Sequence, residues 1–173
     1  MVVLFLVAAF TSCNQGPTLQ TYYVDNELKP GFTTLDVPTS FLNMEEANLT
    51  EEQKKAYESV DKLNMLAFVI SETNKSEYEV ELEKVKTILK NPKYDELMRG
   101  GNSTDGKFMV KFLGDPESLD ELILFGNAND KGFAIIRILG DDMSADKLMQ
   151  LAMSMDQASI SDTQVNQFMN FFK

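Results

Sequence analysis

Leu119-Asp120-Glu121-Leu122-Ile123-Leu124-Phe125, then Gly126-Asn127-Ala128-Asn129-Asp130-Lys131-Gly132, then Phe133-Ala134-Ile135-Ile136-Arg137-Ile138-Leu139 decide the fold class. Two apolar runs of strand length flank a polar loop of Gly, Asn and Asp, residues that tolerate turn backbones and hydrogen-bond locally. The stretch predicts a hairpin with a longer loop. Just upstream, Phe108, Val110 and Phe112 alternate with Lys107, Met109 and Lys111, the period of a half-buried strand. Further back, Met65-Leu66-Ala67-Phe68-Val69-Ile70 is a continuous apolar run, which predicts a strand central in a sheet or covered on both faces.

Helical signals surround these strands. Pro38-Thr39-Ser40-Phe41-Leu42 reads as a short opening helix. Thr50-Glu51-Glu52-Gln53 has capping-box spacing and opens a helix to about Val60. Ser76-Glu77-Tyr78-Glu79 repeats that spacing, and Tyr78, Leu82, Val85 and Leu89 then recur on one helical face up to Asn91-Pro92. In the tail, Ser144 caps a helix carrying Leu148, Leu151, Ala152 and Met155, and Ser161-Asp162-Thr163-Gln164 caps another carrying Val165, Phe168, Met169 and Phe172. The order predicts an α+β domain over residues 35–173, with a mostly antiparallel sheet of about four strands and helices packed on one face.

The first thirteen residues are of another kind. Met1 to Phe10 is uncharged and apolar, and Thr11-Ser12-Cys13 follows, with the only cysteine in the chain. The run is too short for a spanning helix, which needs roughly 20 apolar residues, and has the length of a cleavable export signal. Residues 1–12 are therefore expected to be a signal peptide, and Cys13 the lipidated first residue of the mature chain. The alternative is a buried first strand with Cys13 as a small hydrophobe. Gly16-Pro17 and Pro30-Gly31 break any period beyond Cys13, so residues 13–34 are expected to be the lipidated cysteine and a flexible tether. Its roughly 20 residues would reach about 70 Å.

Composition narrows the function. A formal net charge of −11 argues against nucleic acid, whose phosphates require clustered Lys and Arg, and against adhesion to anionic lipid through the protein surface. Attachment to the membrane is expected through the acyl chains on Cys13. The chain has no histidine and no tryptophan, which removes the commonest general base and the commonest transition-metal ligand. No cofactor is expected.

Several motifs carry a chemical and a structural reading at once. Gly101-Asn102-Ser103-Thr104-Asp105-Gly106-Lys107 has phosphate-loop spacing, but Phe108 replaces the hydroxyl residue and no helix follows, so a turn between helix and strand is expected. Asn127, Asn129 and Asp130 suggest a calcium loop, yet Lys131 occupies a ligand position and turn chemistry accounts for them. Asp115, Glu117, Asp120 and Glu121, with Asp141, Asp142 and Asp146, offer either a hydrolytic carboxylate pair or a solvated acidic face. Met143, Met149, Met153, Met155 and Met169 offer either a Cu(I) or groove surface or core packing.

The lipobox-like Thr11-Ser12-Cys13, the Tyr94-Asp95-Glu96-Leu97-Met98 segment closing the long helix, and the Glu121-Leu122-Ile123-Leu124 strand together give a further clue. In these the chain resembles a family of uncharacterised bacterial lipoproteins, known only as a domain of unknown function and common in the Bacteroidetes. The resemblance covers most of residues 35–173. It implies placement in the cell envelope, at the outer membrane or in the periplasm, and supplies no catalytic residues. The function expected is a lipid-anchored, non-enzymatic module that binds an envelope protein or peptide at a sheet edge or beside the tail helices. The alternatives are a carboxylate-based envelope hydrolase and a small-ligand or Cu(I) binder.

Overall fold

The computed structural model describes residues 16–39, 49–102, 104 and 106–154, without the side chains of the last two. Cys13, the tail helix expected from Ser161, and Met155 and Met169 lie outside the described residues. So does most of the short helix expected at Pro38–Leu42, and Pro38 itself closes a strand.

The elements run α1 (Leu19–Asn26), β1 (Phe32–Pro38), α2 (Glu51–Glu58), β2 (Val60–Val69), α3 (Lys75–Leu89), β3 (Asp95–Asn102), β4 (Gly106–Asp115), β5 (Ser118–Ala128), β6 (Gly132–Met143) and α4 (Ala145–Ser154). The six strands form one antiparallel sheet in the order β1-β2-β6-β5-β4-β3. The fold is α+β, as the hairpin at residues 119–139 implies, but the sheet has six strands rather than about four.

Two of the strands come from segments whose sequence predicts otherwise. The tether expected over residues 13–34 holds α1 and the start of β1 instead. Thr18 caps α1, its hydroxyl accepting from the Thr21 amide while the Thr21 hydroxyl accepts from the Thr18 amide. Leu19, Tyr22 and Tyr23 are buried, so this helix belongs to the core. Pro30-Gly31 is the turn into β1, with Gly31 at φ 85°. The segment Tyr94–Met98 does not close the long helix. Asn91-Pro92 ends the helix, and Asp95 begins β3, an edge strand. Gly101–Lys107 is consequently a hairpin between two strands, not a turn after a helix.

The helices cover both faces of the sheet, not one. On the first face α1 and α3 pack over Leu66, Phe68, Ile123, Phe125, Phe133 and Ile135. On the other, α2 and α4 pack over Val110, Phe112, Leu119 and Leu122. Both parities of β5 and β6 are therefore apolar, the pattern of a sheet buried from two sides. Capping is as expected at Thr50, whose hydroxyl accepts from Gln53. At α3 it is not, because the helix starts at Lys75. Asn74 there ties the preceding turn, accepting from the Ser71 amide at 2.7 Å and donating to the Val69 carbonyl at 2.9 Å. Tyr78, Leu82, Val85 and Leu89 are all buried beneath α3, and in α4 Leu148 and Leu151 are buried while Ala152 is exposed.

The hairpin β5–β6 is tighter than its sequence loop, because pairing continues to Ala128 opposite Gly132. Gly132 has φ 128°, and a Cβ there would overlap the Phe68 carbonyl oxygen of β2. Only glycine supplies that backbone without strain and lets the neighbouring strand approach.

Candidate functional site

The first face of the sheet divides into two rows. Phe32, Phe68 and Phe133 stand in register on β1, β2 and β6, with Phe32 edge-on to Phe68 at 4.9 Å and Phe68 stacked on Phe133 at 5.8 Å between ring centroids. Four residues along the same strands and on the same face, Asp36, Asn64 and Arg137 stand in register as a polar row. An apolar sheet face carrying such a row requires every polar atom to find a partner.

Helix α1 supplies much of that pairing. Tyr23 donates to Asp36 at 2.7 Å, and the Asn64 amide donates to the same carboxylate oxygen. Arg137 is buried and bonds through Nε to Glu121 on β5 at 2.5 Å and through Nη1 to Gln20 on α1 at 2.7 Å. The Arg137–Glu121 ion pair thus joins two strands, and Gln20 joins the helix to both. Among the described residues no buried side-chain nitrogen or oxygen lacks a partner.

A second network ties α1 to α3. Tyr22 donates to buried Glu81 at 2.8 Å, and Lys84 bonds to the other oxygen of that carboxylate at 2.6 Å. Burial first, and then the Glu81 carboxylate, hold the Tyr22 hydroxyl well above the ordinary tyrosine range. Burial first and then Asp36 do the same for Tyr23. The folded chain therefore keeps two phenolic protons that the unfolded chain releases near pH 10. Raising pH through that value draws the protein toward the unfolded state, while the contribution is fully present below it. Urea midpoints should fall steeply between about pH 9 and 11, and less so in the Tyr22→Phe and Tyr23→Phe variants.

Above these networks α1 and α3 leave an open groove of about 710 Å³. Tyr22, Val80 and Ile88 contribute apolar lining, while Asp25 from α1 and Lys29 from the turn after it line the groove with Glu79, Glu83 and Lys84 from α3. Three of these charges are already engaged, Lys29 with the Asn26 side chain at 2.9 Å, Lys84 with Glu81, and Glu83 with Lys86 at 2.8 Å. Val80 is 55 % exposed, large for an aliphatic side chain at the middle of a helix. The arrangement suits a segment with an apolar side chain flanked by cations.

The residues that stand out in the sequence lie elsewhere. Asp115, Glu117 and Asp120 are exposed around the β4–β5 turn, and Glu121 is separated from them by its burial against Arg137. Asp141, Asp142 and Asp146 are exposed on β6 and α4, with Asp142 accepting from Ser118 at 2.7 Å. Asn127 is on β5 and donates to the Tyr78 hydroxyl at 3.2 Å. Met143 is fully buried between sheet and α4, and Met149 is half-buried. Arg137 and Val80 carry no motif in the sequence. A charge inside the apolar run Phe133–Leu139 is the signal for Arg137, and Val80 lies off the Tyr78–Leu82–Val85–Leu89 stripe.

Among known proteins, the family described as a domain of unknown function (DUF4252) matches residues 23–151, from within α1 to within α4. The chain belongs to that family. Neither a curated protein nor a solved structure gives a significant match.

Proposed function

We propose that this member of the DUF4252 family is a lipid-anchored protein of the cell envelope, facing the periplasm from the outer membrane, that binds a segment of another envelope protein. The groove between α1 and α3 is the observation that carries this reading, lined by half-exposed Val80 and by Asp25 of α1 and Glu79 of α3. A net charge of −11 adds long-range attraction for a cationic segment. The occupant is a short amphipathic stretch placing an apolar residue on Val80 and Lys or Arg beside Asp25 and Glu79. Thr11-Ser12-Cys13 supports the anchor. Because α1 begins at Leu19, six residues after Cys13, the domain would sit within about 20 Å of the headgroups rather than at the end of a long tether.

Two measurements test the two halves. Cys13→Ala is expected to move the protein from the membrane fraction to the soluble fraction, and retention in the membrane would refute the anchor. A fluorescent peptide of alternating Lys and Leu is expected to bind the full chain saturably, and a Glu-Leu counterpart is not. Glu79→Lys should weaken the Lys-Leu peptide about tenfold or more, since it sets like charges against each other. Binding untouched by that reversal would place the peptide elsewhere and end the groove reading.

A further inference from the structure

The two edges of the sheet differ. On β1, Phe32 packs against the core, Val37 is buried and the strand ends at Pro38. On β3 every residue from Asp95 to Asn102 is exposed except half-buried Gly100. Leu97 and Met98 on β3 and Phe108 on adjacent β4 are exposed large apolar side chains. Among the described residues no strand lies beyond β3, and an edge strand presents a row of backbone groups that another strand can pair with.

Its side chains are self-complementary. The register shift between Glu96 and Met98 is a bulge that sets Glu96 and Arg99 on one face of the sheet, where they pair with Lys111 and Met109 of β4. Arg99 there grips Glu96 with Nε at 2.5 Å and Nη2 at 2.7 Å. We propose that β3 pairs antiparallel with β3 of a second copy of this chain, about a two-fold axis between Leu97 and Met98. In that register Glu96 stands opposite the second copy's Arg99, Arg99 opposite its Glu96, and Leu97 opposite its Met98. The two intrachain ion pairs merge into a four-charge network, and the two sheets join into one. A slip by one residue sets Glu96 opposite Gly100 or Met98 and loses both charge pairs, so the register is specified.

The chain's negative charge decides where two copies can meet. Self-repulsion between two chains of net charge −11 is screened over about 8 Å at physiological salt, so local charge matters most. Residues 90–111 hold five cations, Lys90, Lys93, Arg99, Lys107 and Lys111, against three acids, Asp95, Glu96 and Asp105. This edge therefore lacks the strong negative charge of the rest of the chain, and the crossed Glu96–Arg99 contacts offset the small like-charge repulsion that the two-fold sets across it. An isologous two-fold contact is also the commonest form of oligomer.

Charge reversal with exchange tests the register. Sedimentation of the purified full chain over a wide concentration range should show a monomer–dimer equilibrium. Glu96→Arg and Arg99→Glu should each weaken it about tenfold or more, because each sets like charges opposite one another twice. Mixing the two variants should restore association, as heterodimers only. The arginine introduced in one chain then faces the glutamate introduced in the other, and the native Arg99 and Glu96 face each other at the second contact. Both positions are exposed, so thermal melting should confirm that each variant stays folded. A wild-type chain that is monomeric throughout, variants that dimerise as well as wild type, or a mixture no more associated than its parts would each overturn the proposal.

Discussion

Phe133→Ala is expected to lower stability by about 3–5 kcal/mol, the range for truncating a buried aromatic. The ring is fully buried, stacks on Phe68, and has Phe32, Tyr78 and Phe125 within 6.4 Å between centroids. It sits in register between Phe68 of β2 and Asn127 of β5, so the lost volume lies where strands from both sides are fixed by backbone pairing and cannot collapse inward. A cavity that cannot relax carries the larger cost. In a domain of this size such a loss lowers the melting temperature by roughly 6–20 °C. Urea denaturation should give a lower midpoint with an unchanged slope, and Leu28→Ala, at a position 93 % exposed, should stay within about 0.5 kcal/mol of wild type. A change that small in Phe133→Ala as well would mean the aromatic row does not organise this core.

The centre of the fold is legible from sequence because it is periodic. The β5–β6 hairpin, the apolar run of β2 and the stripe of α3 each bury enough apolar surface to leave a pattern, and the Thr50–Gln53 capping box marks a helix start by local chemistry alone. The periphery is not. β3 is exposed on both faces and so has no alternation to read, and its bulge interrupts what little period exists. α1 is eight residues long, bracketed by Gly16-Pro17 and Pro30-Gly31, and two such breaks look like a tether when the helix between them is short. The second layer of helices is foreshadowed in Leu122-Ile123-Leu124-Phe125 and Phe133-Ala134-Ile135-Ile136, where both parities are apolar.

The candidate site is less legible because it depends on register. Along the chain Glu121 groups with its acidic neighbours Asp115, Glu117 and Asp120, yet a bulge between Leu119 and Glu121 turns it to the α1 face while they stay in solvent. The partner that distinguishes it, Arg137, is sixteen residues away and meets it only once β5 and β6 are aligned. The groove needs α1 and α3 side by side, a contact joining residues far apart along the chain, such as Tyr22 and Glu81.

Arg137→Met should cost about 3–5 kcal/mol, because it leaves the Glu121 carboxylate buried without its cation and Gln20 without its donor. The companion double variant Glu121→Leu/Arg137→Met should recover most of that loss, since an apolar pair of similar volume makes no demand for a buried charge partner. Urea midpoints of the two single variants and the double variant close the cycle, and additive losses would show that the two side chains act independently. Hydrogen exchange separates the pair's other role. Arg137 reaches α1 through Gln20, so α1 amides should exchange faster in Arg137→Met and remain fast in the double variant even where global stability returns. An ion pair between neighbouring strands also selects their alignment, because a one-residue slip of β6 would turn Arg137 toward the opposite face, where Ala134, Ile136 and Ile138 pack. The same contact that holds α1 against the sheet thus fixes which residues of β6 lie beneath it.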